Sequence, residues 1–93
     1  MKLSEAEISE RLQKLNNGWS RDGGAITKKY TFKDFLEAIA FVNRLAPLAE
    51  KADHHPDILI NYKRVTLTYS THSEGGLTDK DFSGAAAADR LAE

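Results

Sequence analysis

The chain of 93 residues contains no cysteine. Disulfides, thiolate metal sites and a cysteine nucleophile are therefore excluded. No apolar run approaches the roughly 20 residues of a membrane span. Neither sign of charge dominates, since 13 basic residues meet 14 acidic ones for a net charge of −1. No Lys/Arg cluster reaches the roughly 5–8 residues of a basic patch, so direct nucleic-acid binding is not expected. The opening MKLSEAEISERLQKL lacks the apolar core of a signal peptide and carries acids early, unlike a transit peptide. A cytoplasmic protein, away from membranes, is the expectation. Repeats are absent, and the alanines at 85–88 are the one low-complexity tract.

A hydrophobic fraction of 41% and a charged fraction of 29% suit a soluble globular chain. Residues 1–93 are expected to form one domain. A domain this small buries roughly 60–65% of its unfolded surface, so association with further copies would supplement a modest core.

Ser4 and Glu7 form a capping box, and Ile8, Leu12 and Leu15 follow one helical face. Asn16-Asn17-Gly18 should end that helix. Asp22-Gly23-Gly24 between two short runs signals a hairpin. In its second run Ile26, Lys28, Tyr30 and Phe32 share one face, an imperfect alternation. From about Lys33 to Ala52 the period is helical, with Phe35, Ile39, Val42, Leu45 or Ala46, and Ala49 on one face. Pro47 should bend this helix or split it. Asp53-His54-His55-Pro56 is the exit, with His55 held extended by the following proline. Ile58 to Tyr62 reads as a strand and Lys63-Arg64 as a turn. Val65, Leu67, Tyr69 and Thr71 form one face of the next strand, with His72 at the end of the other face. Thr78 opens the last helix, with Asp81 at its third position and Leu77 and Phe82 as a staple. The order α-β-β-α-β-β-α predicts an α+β fold, with a four-stranded antiparallel sheet of two hairpins and three helices on one face.

The three histidines all lie between residues 54 and 72. Imidazoles move protons near neutral pH. Glu50 precedes His54 by four residues, the spacing of neighbours on one helix face, and could orient it. A metal site is disfavoured, because adjacent His54 and His55 diverge and no H-x-H or H-x-x-x-H spacing occurs. No G-x-S-x-G elbow supports a serine triad. Gly75-Gly76 is a turn device, since no P-loop lysine follows. Trp19 and Tyr62 read first as packing aromatics.

The run Glu50-Lys51-Ala52-Asp53-His54-His55-Pro56, followed by Tyr62, His72 and Asp81, resembles the signature of the pterin-4a-carbinolamine dehydratases. The similar flanks are Trp19, Phe32-Lys33-Asp34-Phe35 and Gly76-Leu77-Thr78, so the likeness covers nearly the whole chain. Pro47 departs from it, where the family favours an ordinary helix former. The resemblance implies dehydration of 4a-hydroxytetrahydropterin to quinonoid dihydropterin, in tetrahydropterin recycling, with no metal and no bound cofactor. By position, His54 and His72 would be the acid/base pair, and Glu50 would support the histidines or accept a proton. His55, Pro56, Tyr62 and Asp81 would bind substrate, with Asp81 orienting His72 or capping its helix. A homodimer or homotetramer is also implied. The alternative is a non-catalytic interaction or assembly module, of the kind that serves as a dimerisation cofactor. The complete histidine set favours the enzyme.

Overall fold

The computed structural model describes residues 1–15 and 17–93. Helix α1 (Glu5–Leu15) begins as its capping box dictates. The Ser4 N–H donates to Glu7 at 2.8 Å, and the Glu7 N–H donates to the Ser4 hydroxyl at 3.2 Å. The expected helix end includes Asn16, which lies outside the described residues.

Strands β1 (Ser20–Asp22) and β2 (Ala25–Thr31) are joined by Gly23-Gly24, with Asp22 opposite Ala25. Gly23 takes a φ of +60°, the conformation glycine adopts without strain. Helix α2 (Phe35–Ala52) starts at Asp34, whose side chain accepts the Glu37 N–H. It runs unbroken across Pro47. Pro47 and Asn43, whose carbonyl loses its partner, are both exposed, so water can take the freed group.

The buried stripe of α2 is Ala38, Phe41, Leu45 and Ala49. Phe35 is exposed and Ile39 and Val42 are only half-buried, unlike the face expected from periodicity. Apolar residues surround this helix, so spacing alone does not choose its inner face. Packing selects the stripe on which small alanines flank Phe41 and Leu45.

Strands β3 (Asp57–Asn61) and β4 (Arg64–Tyr69) form the second hairpin. Asn61 pairs with Arg64, so the turn is Tyr62-Lys63, one residue earlier than expected, and Tyr62 lies outside the strand. All pairings are antiparallel in the order β1-β2-β4-β3. Val65, Leu67 and Tyr69 are buried toward the helices, while Thr66 and Thr68 face the other way and are half-buried. After β4, Thr71 bridges Gly76, and His72–Glu74 form a 3₁₀ turn rather than a strand end. Helix α3 (Asp79–Ala92) completes the observed α-β-β-α-β-β-α fold. Leu77 and Phe82 are buried at its start. Among the described residues no helix is long and apolar enough to cross a membrane.

A charged cluster centred on Asp89 sits in the core. Asp89 of α3 accepts from Trp19 Nε1 at 3.0 Å, Lys28 Nζ at 2.9 Å and the Tyr30 hydroxyl at 2.5 Å. This pairing explains why Lys28 interrupts the inner row of β2. Burial would raise the Asp89 carboxyl, but donors from Tyr30, Lys28 and Trp19 outweigh it and hold the group below its ordinary value. Burial, then the bond to Asp89, push the Tyr30 phenol far up.

Candidate active site

Three chain segments meet at one end of the sheet, and each arrives for a local reason. The first is the end of α2. Asp53 adopts a left-handed conformation with φ +52°, which aspartate tolerates better than most residues. The Asp53 N–H returns to Glu50 O at 3.1 Å and the His54 N–H to Ala49 O at 3.2 Å, a Schellman closure. This turn takes His54 off the helix face that carries Glu50. The second segment is Tyr69 to His72, which leaves β4 beside the start of β3, since Asp57 pairs with Thr68. The third is the first turn of α3. Its capping box places the Asp81 side chain on the Thr78 N–H at 3.0 Å.

Asp81 is fully buried. One oxygen, Oδ2, accepts from the Thr71 hydroxyl at 2.8 Å and from the Thr78 N–H, and the other, Oδ1, lies 2.6 Å from His54 Nε2. A buried carboxylate needs such donors to offset its lost hydration. As an acceptor it assigns the proton to Nε2, which leaves Nδ1 of neutral His54 with the basic lone pair. The His54 ring, 13% exposed, also stacks on Tyr69 with centroids 6.1 Å apart and planes at 21°. Burial, then the Asp81 charge, push the Tyr69 phenol up to about 12.

Glu50 is found on His55, not on His54, with Oε1 2.5 Å from Nε2. Both side chains are exposed, at 77% and 52%, so this second dyad faces solvent. Asp81 likewise engages His54 rather than His72, and it caps its helix as well. His72 is exposed on the 3₁₀ turn, directly after the Thr71 that donates to Asp81. Pro56 is buried between His55 and β3. Tyr62 is not brought to this site. It is 59% exposed in the β3–β4 turn, at the opposite end of the sheet. The five residues of β3 separate that turn from Pro56, a distance of about 16 Å at ~3.3 Å per residue.

Two hollows lie near the His54–Asp81 pair, one with His54 in its wall and one that meets the pair through Thr71 and Thr78, which bond Asp81. One, of about 280 Å³, is polar and bounded by Thr71, Ser73, Glu74, Thr78 and Lys80. The other, of about 230 Å³, lies between α2 and α3 and includes His54 and Tyr69 in its wall. Among the described residues no three His, Asp or Glu side chains gather as a metal site would require. Tyr69 was legible in the sequence only as a core aromatic of β4, and its place beside His54 follows from the tertiary fold.

Two histidine–carboxylate pairs, His54–Asp81 and His55–Glu50, thus stand on a small α+β scaffold. The model of the pterin 4 alpha carbinolamine dehydratase family matches residues 1–91, and the chain belongs to that family. A relative from Thermomicrobium roseum, named provisionally as such a dehydratase, is 51% identical over 92 residues, covering 99% of this chain and 95% of its own. One from Roseiflexus castenholzii, named in the same way, is 53% identical over 89 residues, covering 96% and 95%. The crystal structure of a transcriptional coactivator/pterin dehydratase from Brucella melitensis superimposes with a TM-score of 0.95 at 40% identity, over 100% of both chains. A pterin dehydratase-like protein identified as a RuBisCO assembly factor in the alpha-carboxysome gives a TM-score of 0.70 at 26% identity, over 84% and 93%.

Proposed function

We propose that this chain dehydrates 4a-hydroxytetrahydropterin to quinonoid dihydropterin, in recycling of the tetrahydropterin. The C4a–O bond breaks, N5 loses its proton, and a C4a=N5 double bond forms as water leaves. His54 takes the N5 proton at Nδ1, and Asp81 stabilises the resulting imidazolium. His72 in its protonated form donates to the departing hydroxyl. His55, held by Glu50, positions the pterin beside the buried Pro56. The polar hollow around Thr71, Ser73 and Glu74, the residues next to His72 in the chain, offers a polar bicyclic ring its hydrogen bonds. The observation that carries the reading is His54 Nε2 at 2.6 Å from the buried Asp81. A surface histidine needs no such anchor.

The test is the decay of 4a-hydroxytetrahydropterin generated in situ. Wild-type protein should accelerate it, in EDTA as in plain buffer. His72→Ala should lose most of that acceleration while keeping its circular dichroism. An undiminished rate from the folded variant removes His72 from the mechanism. No acceleration by folded wild type moves the weight to the second reading, an interaction or assembly module. The apolar side chains exposed on α2, Phe35, Leu36 and Leu48, are what favour that reading.

We further propose a cytoplasmic homo-oligomer. Strand β3 is an open edge with Ile58 and Leu59 exposed, a surface that invites pairing with a second copy. Leu59→Lys should lower the mass seen by analytical ultracentrifugation. An unchanged oligomer would place the contact elsewhere.

A further inference from the structure

His54 also borders the hollow between α2 and α3, which the dehydration scheme leaves unused. Its walls are Leu45 and Ala49 of α2 and Gly84 and Ala87 of α3, with Tyr69 at the sheet. Charged side chains there, Asp79 and Lys80, are exposed and of opposite sign. The interior therefore suits a neutral molecule. At about 230 Å³ it holds one or two rings.

A polar group set in this apolar wall is the Tyr69 hydroxyl. Tyr69 is only 2% exposed, and its hydroxyl has no hydrogen bond among the described residues. Every sealed side-chain oxygen or nitrogen among those residues does have a partner, so the Tyr69 hydroxyl opens onto space. Tyr69 and Gly84 lie side by side in the wall of the α2–α3 cleft, which is the space beside the phenol. A Cβ there would stand 2.5 Å from Tyr69 Cε1 and 3.1 Å from its hydroxyl. Glycine thus lets the phenol edge reach the cleft wall. With its pKa pushed up to about 12 the phenol stays protonated, a donor in want of an acceptor.

We propose that the α2–α3 cleft is a second binding site, for a small neutral aromatic molecule with one hydrogen-bond acceptor, received by the Tyr69 hydroxyl. This site does not depend on the dehydratase reading, because its test reads binding and not turnover. Acetophenone and α-methylstyrene have nearly the same shape, and only acetophenone carries an acceptor. Each would be titrated into ¹⁵N-labelled protein, with the amide shifts of Ala49, Gly84 and Ala87 followed. Acetophenone should bind roughly five- to ten-fold tighter, the worth of one net hydrogen bond. Tyr69→Phe keeps the ring and should level the two affinities. Ala87→Leu fills the cleft and should abolish both. The proposal is overturned by equal affinities in wild type, by a preference that survives Tyr69→Phe, by shifts confined to other residues, or by no binding of either compound. Shifts that appear only on dilution to a smaller species also overturn it, since a second copy would then occupy the cleft.

Discussion

Replacing Asp81 with asparagine should lower dehydratase turnover by about 10²- to 10⁴-fold, the usual contribution of a positioned acid/base group. The carboxylate serves three donors at once: the Thr71 hydroxyl, the Thr78 N–H and His54 Nε2. An amide offers one oxygen and one NH₂. If the oxygen stays on the Thr78 N–H, the NH₂ faces His54 and the imidazole must accept at Nε2. The proton then moves to Nδ1, and the lone pair proposed to take the N5 proton is gone. If the oxygen turns to His54 instead, the helix cap is broken, at a cost of about 1 kcal/mol.

Turnover and stability must therefore be read together. A variant that melts within a few degrees of wild type yet turns over 10²-fold or more slowly, on the scale just given, supports the tautomer argument. His54→Ala supplies the cross-check. Residues acting as one unit are not additive, so Asp81→Asn on the His54→Ala background should cost little further activity. Full turnover from folded Asp81→Asn would remove the dyad from the chemistry, whatever the fate of the other histidines.

The sequence exposes those parts of this fold that depend on neighbours in the chain. Ser4 with Glu7, Gly23 in its hairpin, and Thr78 with Asp81 are local devices, and each stands where its spacing implies. What local spacing misses is the geometry set by a left-handed residue without glycine. Asp53 ends α2 one residue before His54, so the four-residue interval from Glu50 no longer measures a helix turn. That single conformation hands Glu50 to His55 and frees His54 for Asp81. Tyr62, at φ +58°, is a second such case. With no glycine to punctuate the run, the strand pattern continues through it, and only the pairing of Asn61 with Arg64 fixes the turn. The Asp81–His54 contact joins residues 27 apart, which no periodicity reports. Asp89 left a fainter trace. It falls eight residues after Asp81, on the same inner face of an alanine helix, while Lys28 sits in an inner strand row. A buried acid and a buried base in separate elements are a pairing signal once both are noticed.

That buried pair sets the largest expected loss of stability. Asp89→Ala removes the acceptor shared by Trp19, Lys28 and Tyr30, and leaves a lysine only 15% exposed without its counter-charge. Breaking a buried ion pair from one side costs about 3–5 kcal/mol. A domain of this size has only about 5–14 kcal/mol in total, at ~0.05–0.15 per residue. Since 1 kcal/mol shifts Tm by about 4–8 °C here, the variant should melt at least about 12 °C lower. The pH dependence gives the independent arm. The carboxyl of Asp89 is held below its ordinary value in the fold, so folding keeps it ionised. Its contribution is complete above the unfolded carboxyl pKa and is lost as pH falls through the lower, folded value. Wild type should therefore lose stability on acidification below about pH 4. Asp89→Asn should start less stable and show a shallower loss over the same acid range, by urea denaturation at each pH. Parallel profiles for the two proteins would mean that acid sensitivity resides in other carboxylates.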